Sequence, residues 1–325
     1  MSAPDLPGRT QERDGGGSPL ALLALVGGAL AISISPICVR LSETGPLASA
    51  FWRGALALPG LALWAWLAAR RVARGAHGAR VVAGAADPRP RRGWDWRLLW
   101  AGLFFAGDLG CWHESLMRTS ITAATLEANL APMVVTLAAW VLWRERPSGS
   151  FLLALALAAG GLLLIVGRRL HGAQHALSGD LLGLATAAFY AGYIMVVARL
   201  RAAGVGAGEL MLWSTCIFTL MLLPLALQEP FWPRTAYGWS LLLALALISQ
   251  LLGQGLVAYA LAHLPAALGS VVLYTQPVAA ALYAWVLLGE RLSAAQTAGC
   301  CVVLGAIVLA RAAPRRAPLT VRAAR

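Results

Sequence analysis

Lysine is absent from all 325 residues, and charged side chains of every kind make up only 12% of the chain. An average soluble domain carries about 25%. With hydrophobic residues at 59%, the solvent of this chain is mostly lipid. The net charge of +12 rests on arginine alone. In a soluble protein such a balance points to nucleic acid, but these arginines sit between long apolar runs, where they read as membrane-surface charge, and no nucleic-acid partner is expected. A chain without lysine that is rich in Arg, Ala, Gly and Pro carries the codon signature of a GC-rich bacterial genome, which has no bearing on function.

Motifs of chemistry are missing as well. The five cysteines (Cys38, Cys111, Cys216, Cys300, Cys301) form no CxxC and no Cys/His ligand spacing, and all lie inside apolar runs, so they read as small buried hydrophobes. There is no nucleophile motif, phosphate loop or soluble catalytic domain. No catalytic residue, metal site or cofactor is therefore expected. The enzyme reading that survives is a membrane-embedded one using Asp108, His113 and Glu127 on a lipid-linked substrate. A scaffold without transport would need an interaction segment, and only the Arg-rich stretch 70–97 offers one. The apolar runs lack the period-2 alternation of barrel strands and are too long for them. Leu20 to Ile34 has no small-residue cleavage site after it and reads as a first span, not a signal peptide.

What is present is a set of apolar segments near the roughly 20 residues that cross a hydrocarbon core of about 30 Å. Ten are expected, at 19–39, 46–69, 97–117, 120–143, 150–167, 179–199, 208–227, 238–262, 265–288 and 293–311. In lipid these must be helices. Alternating the sides leaves nineteen arginines on the face that holds the N-terminus and six on the other, with Arg53 inside the second span. Both termini are expected to be cytoplasmic, as a tail at 1–18 and a basic tail at 312–325.

The chain also repeats itself. Ala123 to Arg146 matches Ser270 to Arg291 without a gap: at an offset of 145, Pro132 pairs with Pro277, Trp140-Val141-Leu142 with Trp285-Val286-Leu287, and Glu145-Arg146 with Glu290-Arg291. Gly110, Leu116 and Gly160 fall on Gly255, Leu261 and Gly305 in the same register. The first two spans match the sixth and seventh more loosely, at an offset of 161. The expected fold is an all-α integral membrane protein of two five-helix repeats, 19–167 and 179–311, joined by a linker at 168–178. The first repeat includes an Arg-rich cytoplasmic loop at 70–96. An odd number of helices per repeat turns the second copy upside down, the arrangement on which alternating access rests.

The proline inside the fourth helix of each repeat, followed by an apolar run ending in Glu-Arg, resembles the ten-helix, EamA-type members of the drug/metabolite transporter superfamily. Arg53 in the second helix fits the same pattern, and the resemblance covers Leu20 to Arg311. Glu127 departs from an otherwise apolar position. The resemblance implies a secondary transporter in the bacterial inner membrane that moves amino acids, metabolites or drugs, often by export, through a cavity between the repeats. It implies a small-molecule solute and membrane lipid as partners. Small residues at Ala156/Gly160 and Gly299/Gly305 allow close helix contact, either within the chain or across a homodimer.

Ionisable groups inside a span are functional candidates because each costs several kcal/mol unless paired or wet. Arg53 and Glu127 are expected about 10 Å deep, at 1.5 Å per residue, with Asp108 somewhat deeper. Arg53 is expected to neutralise Asp108 or Glu127 in part, leaving a carboxylate for a proton or a cationic group; a purely structural ion pair is the competing reading. Asp108, Cys111, Trp112 and Ser115 share a helical face and are expected to wall a cavity. Glu127 points away from Asn129 on one helix, so one cavity does not take both. His113 and Glu114 are placed nearer the surface, where snorkelling explains them. The second half offers neutral groups, Gln250 with Gln254 and Tyr274 with Gln276, for selecting polar solute groups or for interhelical hydrogen bonds. Glu145 and Glu290 end their helices and read as gate or packing residues; Pro132 and Pro277 read as kinks, and the carbonyl freed by Pro132 could instead face a cavity.

Overall fold

The structure is a computed structural model that describes residues 19–83, 95–143, 148–166, 174–263, 275–291 and 293–312. Among these every regular element is helical. In chain order they are α1 (Pro19–Ser33), α2 (Ser35–Leu41), α3 (Pro46–Ala55), α4 (Leu58–Ala83), α5 (Arg97–Arg118), α6 (Ile121–Ala128), α7 (Ala131–Trp143), α8 (Gly149–Val166), α9 (Gln174–Ala202), α10 (Ala207–Ala226) and α11 (Ala236–Leu243). A π-helical stretch (Ala244–Gly253), α12 (Gln254–His263), α13 (Thr275–Leu288) and α14 (Ala294–Ala312) complete the order. Within the described residues four helical runs are long and apolar enough to cross a membrane: Pro19–Leu41, Leu177–Val197, Ala207–Ala226 and Ala236–Val257.

Several rods are broken, and proline accounts for the breaks. A proline has no N–H to give the carbonyl four residues back. Pro36, Pro59 and Pro132 each lie two or three residues beyond a break: Ile34 between α1 and α2, Leu56-Ala57 between α3 and α4, Asn129-Leu130 between α6 and α7. The π-helical stretch between α11 and α12 has no proline; its wider turn is a local insertion of the kind that gathers at functional sites.

One expectation about loops changes. The Arg-rich stretch from residue 70 is not loop throughout, because α4 continues to Ala83. Alanine, arginine and valine dominate that segment, and its glycines cost only about 1 kcal/mol each against alanine, too little to stop a long helix. The remainder of that loop at 84–94, both terminal tails and most of the linker lie outside the described residues.

Packing pairs α5 with α9, α8 with α14, α10 with α3, α4 and α5, and α1 with the π stretch, α12 and α13; α6 and α7 lie on α9, and α13 on α6. The α8–α14 contact is made where a side chain on Gly161 would meet the Gly299 carbonyl at 2.9 Å, whereas Gly160 and Gly305 face open space. Of the small residues that the spacing named, Gly299 thus takes part in an internal close approach, with Gly161 as its partner, while Gly160 and Gly305 do not. Residues 40–48, 118–121, 179–180, 229–238 and 290 meet at one end of the bundle through hydrogen bonds described below.

Candidate functional site: a buried arginine at the helix breaks

Arg53 occupies the last turn of α3, beside the Leu56-Ala57 break, with 3% of its surface exposed. A guanidinium in that position costs several kcal/mol unless its donors are used. Its Nε donates to Gln250 Oε1 at 2.9 Å, and an Nη donates to Ser35 Oγ at 3.1 Å. Gln250 lies in the π-helical stretch and Ser35 opens α2 just past the α1–α2 break. One cation therefore ties three interrupted helices together. Gln250 is fully buried, and its Nε2 has no hydrogen-bond partner within the described residues.

Asp108, on α5, is the acid that acts on Arg53, through space and without a direct hydrogen bond between them in the described residues. It is 8% exposed. Cys38 also lies within electrostatic reach of Arg53. Close by, the Phe105 and Tyr193 rings stack with centroids 4.8 Å apart, and Gly54 leaves room for Phe218 and Thr219 of α10 to approach α3. The chemistry of this node is that of one buried cation, one offset carboxylate and an amide with a spare donor.

Of the two acids expected to neutralise Arg53 in part, Asp108 is the one that acts on it. Glu127 is fully buried on α6, and its carboxylate lies against the bare Cα of Gly183 on α9. Asp108 and Cys38 both act on Arg53. Helix α6 packs on α9, so the face opposite Asn129 looks at α9. Asn129 Nδ2 donates to the Thr125 carbonyl and Thr125 Oγ1 to the Ile121 carbonyl, both on their own helix.

On α5 the proposed cavity face divides. Ser115 Oγ donates to the Gly179 carbonyl at 2.8 Å, which commits it to α9. Trp112 packs in an apolar cluster with Trp52 and Trp239. Cys111 is half-buried. His113 is not a snorkelling residue: it is fully buried, with Nδ1 2.8 Å from Ser49 Oγ and 3.1 Å from the Pro46 carbonyl. The surface reading failed because α3 starts beside this turn of α5 and covers it. Glu114 does lie nearer the surface, paired with Arg118 at 2.7 Å.

In the second half Gln254 and Gln276 are half-buried, and the Gln276 carbonyl accepts from Ser33 Oγ at 3.1 Å, bringing the start of α13 to the α1–α2 break. Glu290 Oε2 accepts the Ile121 N–H at 3.3 Å, at the start of α6. Glu145 and Tyr274 lie outside the described residues, and nothing of the Pro132 and Pro277 rings beyond their place in the chain is described. Two residues escaped the sequence reading. Ser35 shows no charge to attract notice. Asp180, buried at the start of an apolar run and accepting from Thr119 Oγ1 at 2.5 Å, was visible as an acid in a span.

A helical, strongly apolar chain whose broken helices converge on a buried charge belongs to the class of multi-pass membrane transport proteins. The comparisons make this specific: the model of the EamA-like transporter family matches residues 19–167 and again 177–312, and the chain belongs to that family. It is similar to the pseudopaline exporter CntI of Pseudomonas aeruginosa, 27% identical over 216 residues that cover 66% of this chain and 74% of that one. The uncharacterized transporter YwfM of Bacillus subtilis is 25% identical over 229 residues, 69% of this chain and 76% of its own. A solved crystal structure shares the fold with a TM-score of 0.56 at 20% identity, covering 89% of this chain and 96% of the other. The protein is thus a multi-pass bacterial membrane protein of a transporter family.

Proposed function

We propose that the chain is a secondary transporter that exports a small metabolite, amino acid or drug-like solute by alternating access between two inverted five-helix repeats. The observation that carries this reading is the Arg53 node. Arg53 donates to Gln250 of the second half and to Ser35 of the first, and so joins three interrupted helices. A solute that competes for Arg53, Asp108 or the spare Gln250 donor acts directly on the contact between the halves.

The packing supports the repeat. Exchanging each helix for its counterpart turns α5 on α9 into the π stretch and α12 on α1, and α6–α7 on α9 into α13 on α1. The pairs α8–α14, α3–α10 and α6–α13 map onto themselves. That pattern supports a two-fold relation between the two repeats. The arginine distribution supports cytoplasmic termini. Asp108 is the proposed proton site, and Trp112, Asn129, Gln254, Gln276 and Tyr274 are the proposed solute contacts, with Glu145 and Glu290 at opposite gates.

The test is efflux and counterflow from proteoliposomes against a panel of amino acids, metabolites and cationic drugs, with and without a pH gradient. Saturable flux of one class, with the pH gradient losing its effect in Asp108→Asn, is expected. A correctly folded protein that moves no solute under any gradient contradicts transport; flux whose pH dependence survives Asp108→Asn contradicts the proton site.

A further inference from the structure

The end of the bundle that gathers Glu43, Glu229 and Glu290 carries an arrangement that the transport reading does not use. Helix α3 begins at Gly45-Pro46, and Gly45 has no side chain with which to cap it. The orphan N–H groups of Leu47 and Ala48 are taken instead by Glu229 Oε2, at 2.9 and 3.0 Å. Glu229 follows α10, in the other half. Conversely, α11 of the second half begins after Thr235, and the N–H groups of Arg234 and Thr235 donate to Glu43 Oε2 at 2.7 and 3.0 Å, with the Thr235 hydroxyl donating to Oε1. Glu43 lies between α2 and α3, in the first half.

Each half thus lends a carboxylate to a helix start of the other. Anions are favoured at such starts, where free N–H groups and the helix dipole both point outward, and hydrogen bonds to a charged acceptor are the stronger kind. The backbone is shaped to admit both acids: a Cβ on Gly238 would lie 2.5 Å from Glu43 Oε2, and one on Gly45 would overlap the Glu229 carboxylate. The Gly45 N–H to Pro230 carbonyl bond at 3.0 Å and the Trp52 Nε1 to Phe231 carbonyl bond at 2.8 Å lie alongside.

Resting on the alternating-access reading, we infer that Glu43 and Glu229 form a reciprocal latch that holds this end of the transporter closed, and whose release is a step of the transport cycle. The two halves cannot separate here without freeing five hydrogen bonds to carboxylates at once. Once freed, the acids and helix starts are rehydrated at the surface, which keeps the net cost of opening far below the sum of the bonds.

The natural thiol Cys38 reports on the latch. It lies on α2, buried at 4% exposure, five residues before Glu43. Full-length protein in proteoliposomes is treated from this face with a charged, membrane-impermeant thiol reagent, and labelling of Cys38 is read by peptide mapping. Glu43→Ala/Glu229→Ala, which removes both acceptors, is expected to label about tenfold faster than the parent, the equivalent of one net hydrogen bond to a charged group, and each single variant about threefold. Gly45→Ala, which displaces Glu229 without altering a charge, is expected to match Glu229→Ala. Should the double variant not yield folded protein by size exclusion, the single variants and Gly45→Ala carry the test. Labelling within twofold of the parent in all folded variants overturns the latch and reduces both acids to local caps. Solute flux measured in the same vesicles separates the two proposals: flux with unchanged labelling sinks the latch alone, whereas a parent without flux sinks the transport reading.

Discussion

Replacing Arg53 by leucine tests the node at its centre. The substitution removes the guanidinium that donates to Gln250 Oε1 and Ser35 Oγ and leaves Asp108 in a site where only 8% of its surface reaches solvent. Removing one partner of a buried pair costs about 3–5 kcal/mol, because the other charge is stranded. Asp108→Asn is expected to cost much less, since Arg53 keeps both its hydrogen bonds. The double variant Arg53→Leu/Asp108→Asn takes away the stranded charge and is expected to recover about 2 kcal/mol or more of the single loss. At roughly 2 °C per kcal/mol for a long chain, Arg53→Leu lowers the midpoint of thermal unfolding in detergent by about 6–10 °C and the double variant by about half of that. The assay is fluorescence-detected size exclusion after heating, on the two single variants and the double, at alkaline pH so that the Asp108 carboxyl is ionised and a proton does not relieve the stranded charge. Equal losses for Arg53→Leu and the double variant would refute an energetic coupling of Arg53 with Asp108, and a larger loss for Asp108→Asn than for Arg53→Leu would invert the proposed hierarchy.

Two further expectations follow from neighbouring geometry. A Cβ on Gly54 would overlap Thr219 Oγ1 and meet the Phe218 ring at 2.7 Å, and overpacking of that kind costs about 1–3 kcal/mol; Gly54→Ala is expected to lower the unfolding midpoint and Gly54→Ala/Phe218→Leu/Thr219→Ala to restore part of it, whereas an unchanged midpoint in Gly54→Ala contradicts the contact. The latch is also expected to respond to pH. Burial raises the Glu229 carboxyl above its ordinary value of 4.5, with neighbouring Glu114 adding to the rise against the pull of the Ala48 and Leu47 N–H groups, and Glu114 is itself held by Arg118. A group raised in the latched form favours that form below its ordinary value and loses this contribution as pH rises through the raised one. Glu43 is lowered, chiefly by the Thr235 hydroxyl, with Arg234 also facing it, so its contribution persists until pH falls beneath its ordinary value. Acidifying this face from neutral toward 4.5 is therefore expected to slow Cys38 labelling in the parent relative to Glu229→Gln, a ratio that cancels the reagent's own pH dependence. A flat or rising ratio contradicts the assignment to Glu229.

The parts of the molecule that were legible in the sequence are those governed by local rules. Apolar length marks the helices because lipid offers the backbone no other partner. The 145-residue register marked Glu290 as a helix-end residue from its match with Glu145, and in the fold it accepts the Ile121 N–H from the other half. A lone charge in a span drew attention to Arg53 and Asp108, and they are electrostatically coupled. What was not legible is direction around the helix axis. His113 and Glu127 were placed by depth and spacing, which do not reveal that α3 covers one and α9 receives the other. Ser115 shares a helical face with Asp108 by spacing, yet donates to α9, because a bundle offers one helix face several neighbours along its length.

The functional joints are harder still, since they depend on pairs of irregularities. Pro36 and Pro59 each signal one missing hydrogen bond, a feature that helices in membranes often tolerate; Pro224 sits within α10 without ending it. They gain meaning because the breaks beside them bring Ser35 and Arg53 together with Gln250, which stands in a π-helical stretch that no proline announces. Glu43 and Glu229 make the same point at the surface. Read singly, each is an acid in a short polar connection; only the fold sets each against a helix start in the opposite half. The repeated scaffold was therefore readable as a pattern, while the contacts that would let its halves hold and release each other are made by residues outside the repeated motif. Selectivity and gating should accordingly diverge among relatives of this fold faster than the Glu-Arg helix ends and their prolines do. A chimera tests that division: exchanging residues 42–48 and 228–238 together with those of a relative is expected to alter Cys38 labelling and leave the transported solute unchanged, and a change of solute without a change in labelling refutes it.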